Sequence, residues 1–162
     1  MEWYLKVLKE FANFNGRSRR KEYWMFILFN IIISIVLSIL DSLLGLNYGE
    51  LNTNGVLGSL YSLVILIPTF AVTTRRLHDV NKSGWLLVIL YATIAVFATI
   101  IFTSMSNSDT PNPMIIGIIA IVLIGFSIYM FVLSVTNGDV GPNKYGPDPK
   151  GNGELEIEDH LV

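Results

Sequence analysis

A short polar string, TTRRLHDVNKSGW at residues 73–85, interrupts an apolar stretch of the chain and gathers residue types that can do chemistry. It contains Arg75, Arg76, His78 and Asp79. A histidine beside an aspartate can act in general acid–base catalysis. Adjacent residues in a turn usually point apart, however, and no serine nucleophile motif, histidine pair or phosphate-binding loop accompanies them. The string therefore favours ion pairing and helix capping over an enzymatic active site.

Two further strings carry most of the remaining distinctive polar residues: FNGRSRRKEYW at 14–24 and NGDVGPNKYGPDP at 137–149. In the first, Glu22 lies among basic residues, and a carboxylate there is best held by a guanidinium. In the second, the aspartates lack the spacing and the terminal glutamate of a calcium loop, so we expect neither a metal nor a cofactor. The three strings predict one shared network made of Arg17, Arg20, Glu22, Arg76, His78, Asp79 and Asp148, with Arg19 and Arg75 as further network or headgroup-binding residues.

The elements that must position these residues are membrane helices. The chain of 162 residues is 52% hydrophobic and only 15% charged, which leaves too few charges for a water-facing surface. Four apolar segments have the roughly 20 residues needed to cross a bilayer, and in lipid the backbone must satisfy its own hydrogen bonds, so each is expected to be a helix. The sequence thus predicts an all-α integral membrane protein with four transmembrane helices, at about residues 24–44, 56–74, 85–104 and 114–135.

The basic residues predict how these helices are oriented. All eleven Lys and Arg residues lie before the first span, between the second and third, or after the fourth, so that a four-span topology places them on one side. The positive-inside rule then puts both termini in the cytoplasm. Trp3, Trp24 and Trp85 fall at the same boundary, where tryptophan acts as an interfacial anchor. The absence of cysteine excludes disulfides and thiolate metal sites.

Three segments outside the spans have their own character. Residues 1–15 show helical spacing of apolar side chains opposite lysines, which predicts a short amphipathic helix in the membrane interface. Residues 136–150, rich in glycine and proline, predict a turn-rich cytoplasmic cap that completes a single domain over residues 1–150. The acidic, glycine-led segment 151–162 is expected to be disordered.

Polar residues also recur inside the first two spans. They are expected to face protein rather than lipid, with the one acid near the outer end, where water can reach it. Such a polar seam has two interpretations: a path for a small solute or a proton, or hydrogen bonds that hold two helices together. The seam consists of Asn30, Ser34, Ser38 and Asp41 in the first span and Ser59, Ser62, Thr69 and Thr73 in the second.

The three polar strings combined with four spans resemble the domain of unknown function 805 family, the YhaH/YhaI-like small inner-membrane proteins of bacteria. The resemblance covers almost the whole chain, from WYLKVLK near the start to GPNKYGPDP near the end. It implies a fold and a location in the bacterial inner membrane, with both ends of the chain on the cytoplasmic side. It implies no activity.

Three classes of function remain open from the sequence. The first is a non-enzymatic membrane protein that binds anionic lipid headgroups, or a protein partner, through a basic cytoplasmic face. The alternative is a small transporter or channel component that uses the polar seam. A membrane-surface enzyme using His78 and Asp79 is the least favoured class. The expected partners are membrane lipids and either further copies of the chain or another membrane protein, and no nucleic acid.

Overall fold

The computed structural model describes residues 1–49, 54–106 and 112–151, and it is almost entirely helical. Four of its helices are long and apolar enough to cross a membrane, which confirms the predicted number of spans. The only strands in the described part are two short ones that pair antiparallel between the second and third helices. The elements are α1 (Glu2–Lys9), α2 (Arg20–Leu43), β1 (Asn47–Tyr48), β2 (Asn54–Gly55), α3 (Val56–Asp79), α4 (Trp85–Ser106) and α5 (Pro113–Val135).

The spanning helices α2 and α3 extend further than their apolar segments. Each has 24 residues, or about 36 Å at 1.5 Å per residue, compared with a hydrocarbon core of about 30 Å. The second span was predicted to end at about residue 74, but α3 continues as a helix through the string RRLHD to Asp79. The helix stops only near Asn81, whose φ of 56° is left-handed and ends the helical path. Side chains in this string are therefore spaced by helical geometry and not by that of a turn.

Two small cores hold the helices together. In the first, Tyr4 and Val7 of α1 pack on Phe26 of α2 and Val72 of α3. The second lies where α3, α4 and α5 meet, around Leu77, Leu87 and Leu133, together with Val80. Most other apolar side chains on the long helices are exposed, as expected of helices whose solvent is lipid.

The N-terminal helix differs from its expected form. It ends at Lys9 and not near residue 15, so Phe11 and Phe14 lie outside it and are exposed. Its apolar face is buried against α2 and α3 through Tyr4 and Val7. Much of that apolar face is thus covered by protein, because the first core forms beneath it.

The segment after α5 folds back onto the end of α3. Asp139 N–H donates to the Asp79 carbonyl at 2.8 Å, and the Asn143 side chain donates to the His78 carbonyl at 2.9 Å. A tight turn closed by hydrogen bonds between Asn143 and Gly146 follows. The last carbonyls of α3, which no helix satisfies, thereby receive donors from this segment. The predicted disorder of the acidic tail concerns residues 152–162, which lie outside the described part.

Candidate functional site: the basic end of the bundle

All eleven Lys and Arg residues gather at one end of the helix bundle, which we call the basic end. It comprises α1, the start of α2, the end of α3 with the turn to α4, and the segment after α5. Five charged side chains at this end are buried: Arg17, Glu22, Arg75, Arg76 and Asp79. Burying charges is costly unless they are paired, so their partners define the site.

The first group of buried charges is centred on Asp79. Arg17 reaches one carboxylate oxygen with its Nη2 at 3.0 Å and its Nε at 3.1 Å. Arg76, three residues before Asp79 on the same helix, donates to the other oxygen. Gly138 passes so close that a Cβ there would lie 2.0 Å from the Asp79 carboxylate. Two guanidiniums and a glycine backbone therefore enclose this carboxylate.

The same Arg76 also caps the C-terminus of α5. Its Nε donates to the Ser134 carbonyl at 3.1 Å, and its Nη2 donates to the Thr136 carbonyl. From α2, Arg20 donates to the Val135 carbonyl at 3.1 Å and Trp24 Nε1 donates to the Ser134 carbonyl at 3.3 Å. The end of a helix carries partial negative charge and unsatisfied carbonyls, so cationic donors stabilise it. These contacts tie α5 to α2 and α3.

A second group of charges surrounds Glu22, which is fully buried. Lys6 of α1 donates to its Oε2 at 2.9 Å, and Arg75 Nη1 lies 3.4 Å from its Oε1. Arg75 also pairs with Glu10 just after α1. The backbone N–H of Ser18 donates to the Arg75 carbonyl at 3.0 Å. The group balances two cations against two carboxylates and fastens α1 to α2 and α3.

His78 and Asp148 are held by backbone groups. His78 Nδ1 lies 3.1 Å from the Gly16 carbonyl, which fixes that nitrogen as a donor, and its ring stacks on Tyr145 with centroids 3.8 Å apart. The Asp148 carboxylate accepts the N–H groups of Lys150 at 2.9 Å and Gly141 at 3.0 Å. These hydrogen bonds, with that from Lys150 the largest influence, lower the pKa of Asp148 below its usual value.

The single network expected from the sequence is therefore divided in two. Arg75 and Arg76 are neighbours in sequence, but successive helical residues project about 100° apart. Arg75 faces Glu22, whereas Arg76 faces Asp79. Contrary to expectation, the closest hydrogen-bond partners of His78, Asp148 and Arg20 are backbone groups and not the members of a shared ion-pair network.

Two members of the second group, Lys6 and Glu10, did not emerge from the sequence as site residues. Both lie in a stretch whose lysines were expected to face lipid headgroups. Their spacing of four residues, which places them on one helix face, was the available signal. Although its side chain is 45% exposed, Lys6 is paired with Glu22 and is not left free for lipid.

The remaining cations are less engaged. Arg19 is half-buried, donates to the Pro149 carbonyl and lies 5.9 Å from the ring centroid of Trp3. Trp24 is 36% exposed, and Trp85 is 71% exposed. Besides Lys6, which pairs with Glu22, six cationic side chains at this end are exposed: Lys9, Arg20, Lys21, Lys82, Lys144 and Lys150.

The polar seam predicted between α2 and α3 is not continuous. Ser34 and Ser38 are both exposed, and Ser34 lines an open groove between α2 and α3. The hydroxyls on α3 donate to carbonyls of their own helix, which satisfies them locally in an apolar solvent. These hydroxyls belong to Ser59, Ser62, Thr69 and Thr73, each with a donor–acceptor distance of 2.7 Å.

Of the four seam residues on α2, Asn30 and Asp41 hydrogen-bond to α3. Asn30 accepts a hydrogen bond from Tyr61, whose hydroxyl lies 3.3 Å from that of Tyr4. At the end opposite the basic end, Asp41 accepts the N–H groups of Leu57 and Gly58 at 3.0 Å each. Asp41 is fully buried, not water-accessible as expected, because it caps the N-terminus of α3. The seam is thus two separate helix-joining contacts.

Comparison of the sequence with known proteins identifies a family and several relatives. The sequence matches the family model described as a protein of unknown function, DUF805, over residues 11–147. It is 37% identical over 150 residues to the inner membrane protein YhaH of Escherichia coli (strain K12), covering 93% of this chain and 98% of the relative. It is 34% identical over 150 residues to the inner membrane protein YhaI of the same organism, covering 93% and 97%. No solved structure matches the chain.

Proposed function

The chain belongs to the DUF805 family of bacterial inner-membrane proteins, and from that premise we propose that its basic end lies in the cytoplasm and binds anionic phospholipid headgroups. The observation that carries the proposal is the division of the cations into two classes. Arg17, Arg75 and Arg76 are buried and neutralised by carboxylates of the protein. Lys6 is exposed but paired with Glu22, whereas the other six exposed cations of the basic end form no ion pair with any described residue. They are the ones available to lipid.

The buried ion pairs hold in place the helix ends that carry these exposed cations. Arg76 and Arg20 hold the end of α5, while Arg75 and Lys6 hold α1, so the helix ends cannot separate easily. A basic residue near an anionic membrane surface contributes about 1 kcal/mol of attraction, which salt screens. Several such residues on one rigid end would enrich anionic lipid around the protein without any chemical step.

The orientation rests on the same segregation of charge. A basic end in the cytoplasm satisfies the positive-inside rule for both termini and for the turn between α3 and α4. Because the natural chain has no cysteine, single substitutions such as Lys144→Cys and Leu46→Cys provide unambiguous reporters. In intact cells we expect a membrane-impermeant thiol reagent to label the cysteine at Leu46 and not the one at Lys144. The opposite pattern would overturn the orientation.

Lipid preference is measurable with the natural tryptophans, all three of which lie at the basic end. Quenching of their fluorescence by brominated phosphatidylglycerol, relative to brominated phosphatidylcholine, gives the preference for the anionic lipid in reconstituted vesicles. Neutralising two exposed lysines, in Lys9→Gln/Lys21→Gln, is expected to lower that preference by up to about 30-fold at low salt.

The matched control for this experiment is Lys9→Arg/Lys21→Arg, which keeps both charges and should keep the preference. Arg17→Gln is a second control, because Arg17 is buried against Asp79 and its loss should act on stability. An unchanged preference in the double glutamine variant would overturn the proposal. The transporter alternative has less support, since most of the seam hydroxyls bond their own helices.

A further inference from the structure

A cleft of about 570 Å³ lies between α3 and α4, apart from both groups of buried charges. Ile67 and Phe70 of α3 form one wall, and Leu87 and Tyr91 of α4 form the other. The rings of Phe70 and Tyr91 pack with centroids 4.8 Å apart. Residues at the edge, such as Ile67 at 48%, are exposed on the outer surface of the bundle. The cleft therefore opens sideways, where lipid would surround the protein.

The length of the cleft corresponds to one leaflet of the membrane. It runs along α4 from Gly84 to Ala95, which is about 16 Å at 1.5 Å per residue and close to half of a hydrocarbon core of about 30 Å. At the end of the cleft nearest the basic end, the chain segments approach so closely that a Cβ on Gly84 would lie 2.7 Å from a methyl carbon of Thr74. The cleft thus begins at the basic end and ends near mid-depth.

The mouth of the cleft is basic and aromatic. Lys82 precedes Gly84 by two residues in the turn between α3 and α4, and it is exposed. It has no carboxylate partner among the described residues. Phe14, from the segment joining α1 to α2, contributes to the cleft lining. An apolar channel below an unpaired cation complements a molecule with an acyl chain and an anionic headgroup.

We propose that this cleft is a lipid site that holds one acyl chain of an anionic phospholipid, with its headgroup at Lys82. The part played by Lys82 rests on the proposed function of the basic end, whereas occupancy of the cleft by a chain does not. The lining is almost wholly apolar, and Tyr91 and Thr74 are its only hydroxyl-bearing members. Chain burial is therefore driven by shape and dispersion contacts rather than by polar recognition.

The size of the cleft favours an acyl chain over a helix from a second copy. A helix with its side chains is about 10–12 Å across, so a helix running 16 Å along the cleft would occupy on the order of 1,300 Å³. The cleft is smaller than that and open along one side. A helix from a second copy could lie only across the side opening of the cleft, whereas a single acyl chain could enter it.

A larger side chain at the end of the cleft farthest from the basic end tests whether an acyl chain occupies it. Ala95 lines it, and Ala98 on the same helix is exposed but does not line it. The full-length protein is extracted from membranes containing phosphatidylglycerol and phosphatidylethanolamine, and bound lipid is counted by native mass spectrometry. We expect Ala95→Phe to lower the fraction carrying one lipid by roughly tenfold, and Ala98→Phe to leave it unchanged.

An unchanged lipid fraction in Ala95→Phe, or an equal loss in Ala98→Phe, would overturn the site. If Ala95→Phe fails to fold by circular dichroism, Ala95→Leu takes its place and should show a smaller loss in the same direction. Disulfide-linked dimers formed through Ala95→Cys in vesicles would show that a second copy covers the cleft and would also overturn the proposal.

The headgroup contact is tested separately. Lys82→Gln is expected to lower the ratio of bound phosphatidylglycerol to phosphatidylethanolamine by roughly fivefold, without lowering the total lipid fraction. Lys82→Arg, which keeps the positive charge at the same place, should leave the ratio unchanged. An unaltered ratio in Lys82→Gln would overturn the headgroup assignment. If Lys9→Gln/Lys21→Gln then keeps its lipid preference but Ala95→Phe still loses lipid, the proposed function fails while the chain site stands.

Discussion

Replacement of Asp79 by alanine would leave the guanidiniums of Arg17 and Arg76 inside the protein with no carboxylate between them. The side chains of Arg17 and Arg76 are each 1% exposed and that of Asp79 is 6% exposed. Removing one partner from a buried ion pair costs about 3–5 kcal/mol, chiefly because the remaining charge is left without compensation. Here two like charges would remain, although Arg76 keeps carbonyl acceptors at the end of α5. We therefore expect the free energy of unfolding to fall by about 3–5 kcal/mol in Asp79→Ala.

The assay is equilibrium unfolding in mixed micelles of a mild detergent with increasing dodecyl sulfate. Trp24 reports the process directly, because its indole donates to the Ser134 carbonyl in the folded state and loses that contact when α5 separates. Asp139→Ala is the matched control: it removes an exposed carboxylate in the segment docked on Asp79 and should change stability by less than about 0.5 kcal/mol.

A double substitution shows whether the loss arises from the charges. In Arg17→Met/Asp79→Ala the repulsion between two unpaired guanidiniums is gone, so the combined loss should be smaller than the sum of the single losses by about 1 kcal/mol or more. Strictly additive losses would refute the ion-pair argument. So would an Asp79→Ala variant no less stable than Asp139→Ala.

Three other changes are checked by the same unfolding titration. Asp41→Ala removes the cap of α3 and should cost about 0.5–2 kcal/mol, with Asp41→Asn costing less. Gly138→Ala forces a methyl against the Asp79 carboxylate and should cost about 1–3 kcal/mol, whereas Gly125→Ala, in open space, should be neutral or stabilising by up to about 1 kcal/mol. The lowered pKa of Asp148 contributes stability that is present above its unfolded value of about 3.9 and is lost as the pH falls through the lower folded value. Asp148→Asn should therefore abolish that part of the acid-induced loss below about pH 4, and identical pH curves for both proteins would contradict the assignment.

Features that depend on a continuous stretch of sequence were easier to predict than features that depend on contacts between distant segments. The four spans followed from the length of apolar runs, since each helix satisfies its backbone within itself. The ends of the helices were less predictable. α3 continues through Asp79 because the cap segment and Arg17 supply partners for its polar residues, and these come from more than 50 residues away in the chain. Similarly, the packing of the apolar face of α1 on Phe26 and Val72 depends on residues far away in the chain.

The polar seam shows where periodicity misleads. Helical spacing placed Asn30, Ser34, Ser38 and Asp41 on one side of α2, yet only the first and last make hydrogen bonds to α3. A serine in lipid need not face protein, because its hydroxyl can bond a carbonyl one turn earlier. Spacing identifies a shared face, while the partners of that face depend on how the neighbouring helix lies.

The sequence by itself determined the number of spanning helices and the gathering of every basic residue at one end, because both depend on apolar length and on the order of charges along the chain. Only the tertiary structure decided which of those cations are available. Arg75 and Arg76, adjacent in sequence, project about 100° apart and are buried against different carboxylates, whereas Lys9, Lys21 and Lys82 remain exposed. Pairing across helices depends on their relative positions in space, which no local pattern encodes.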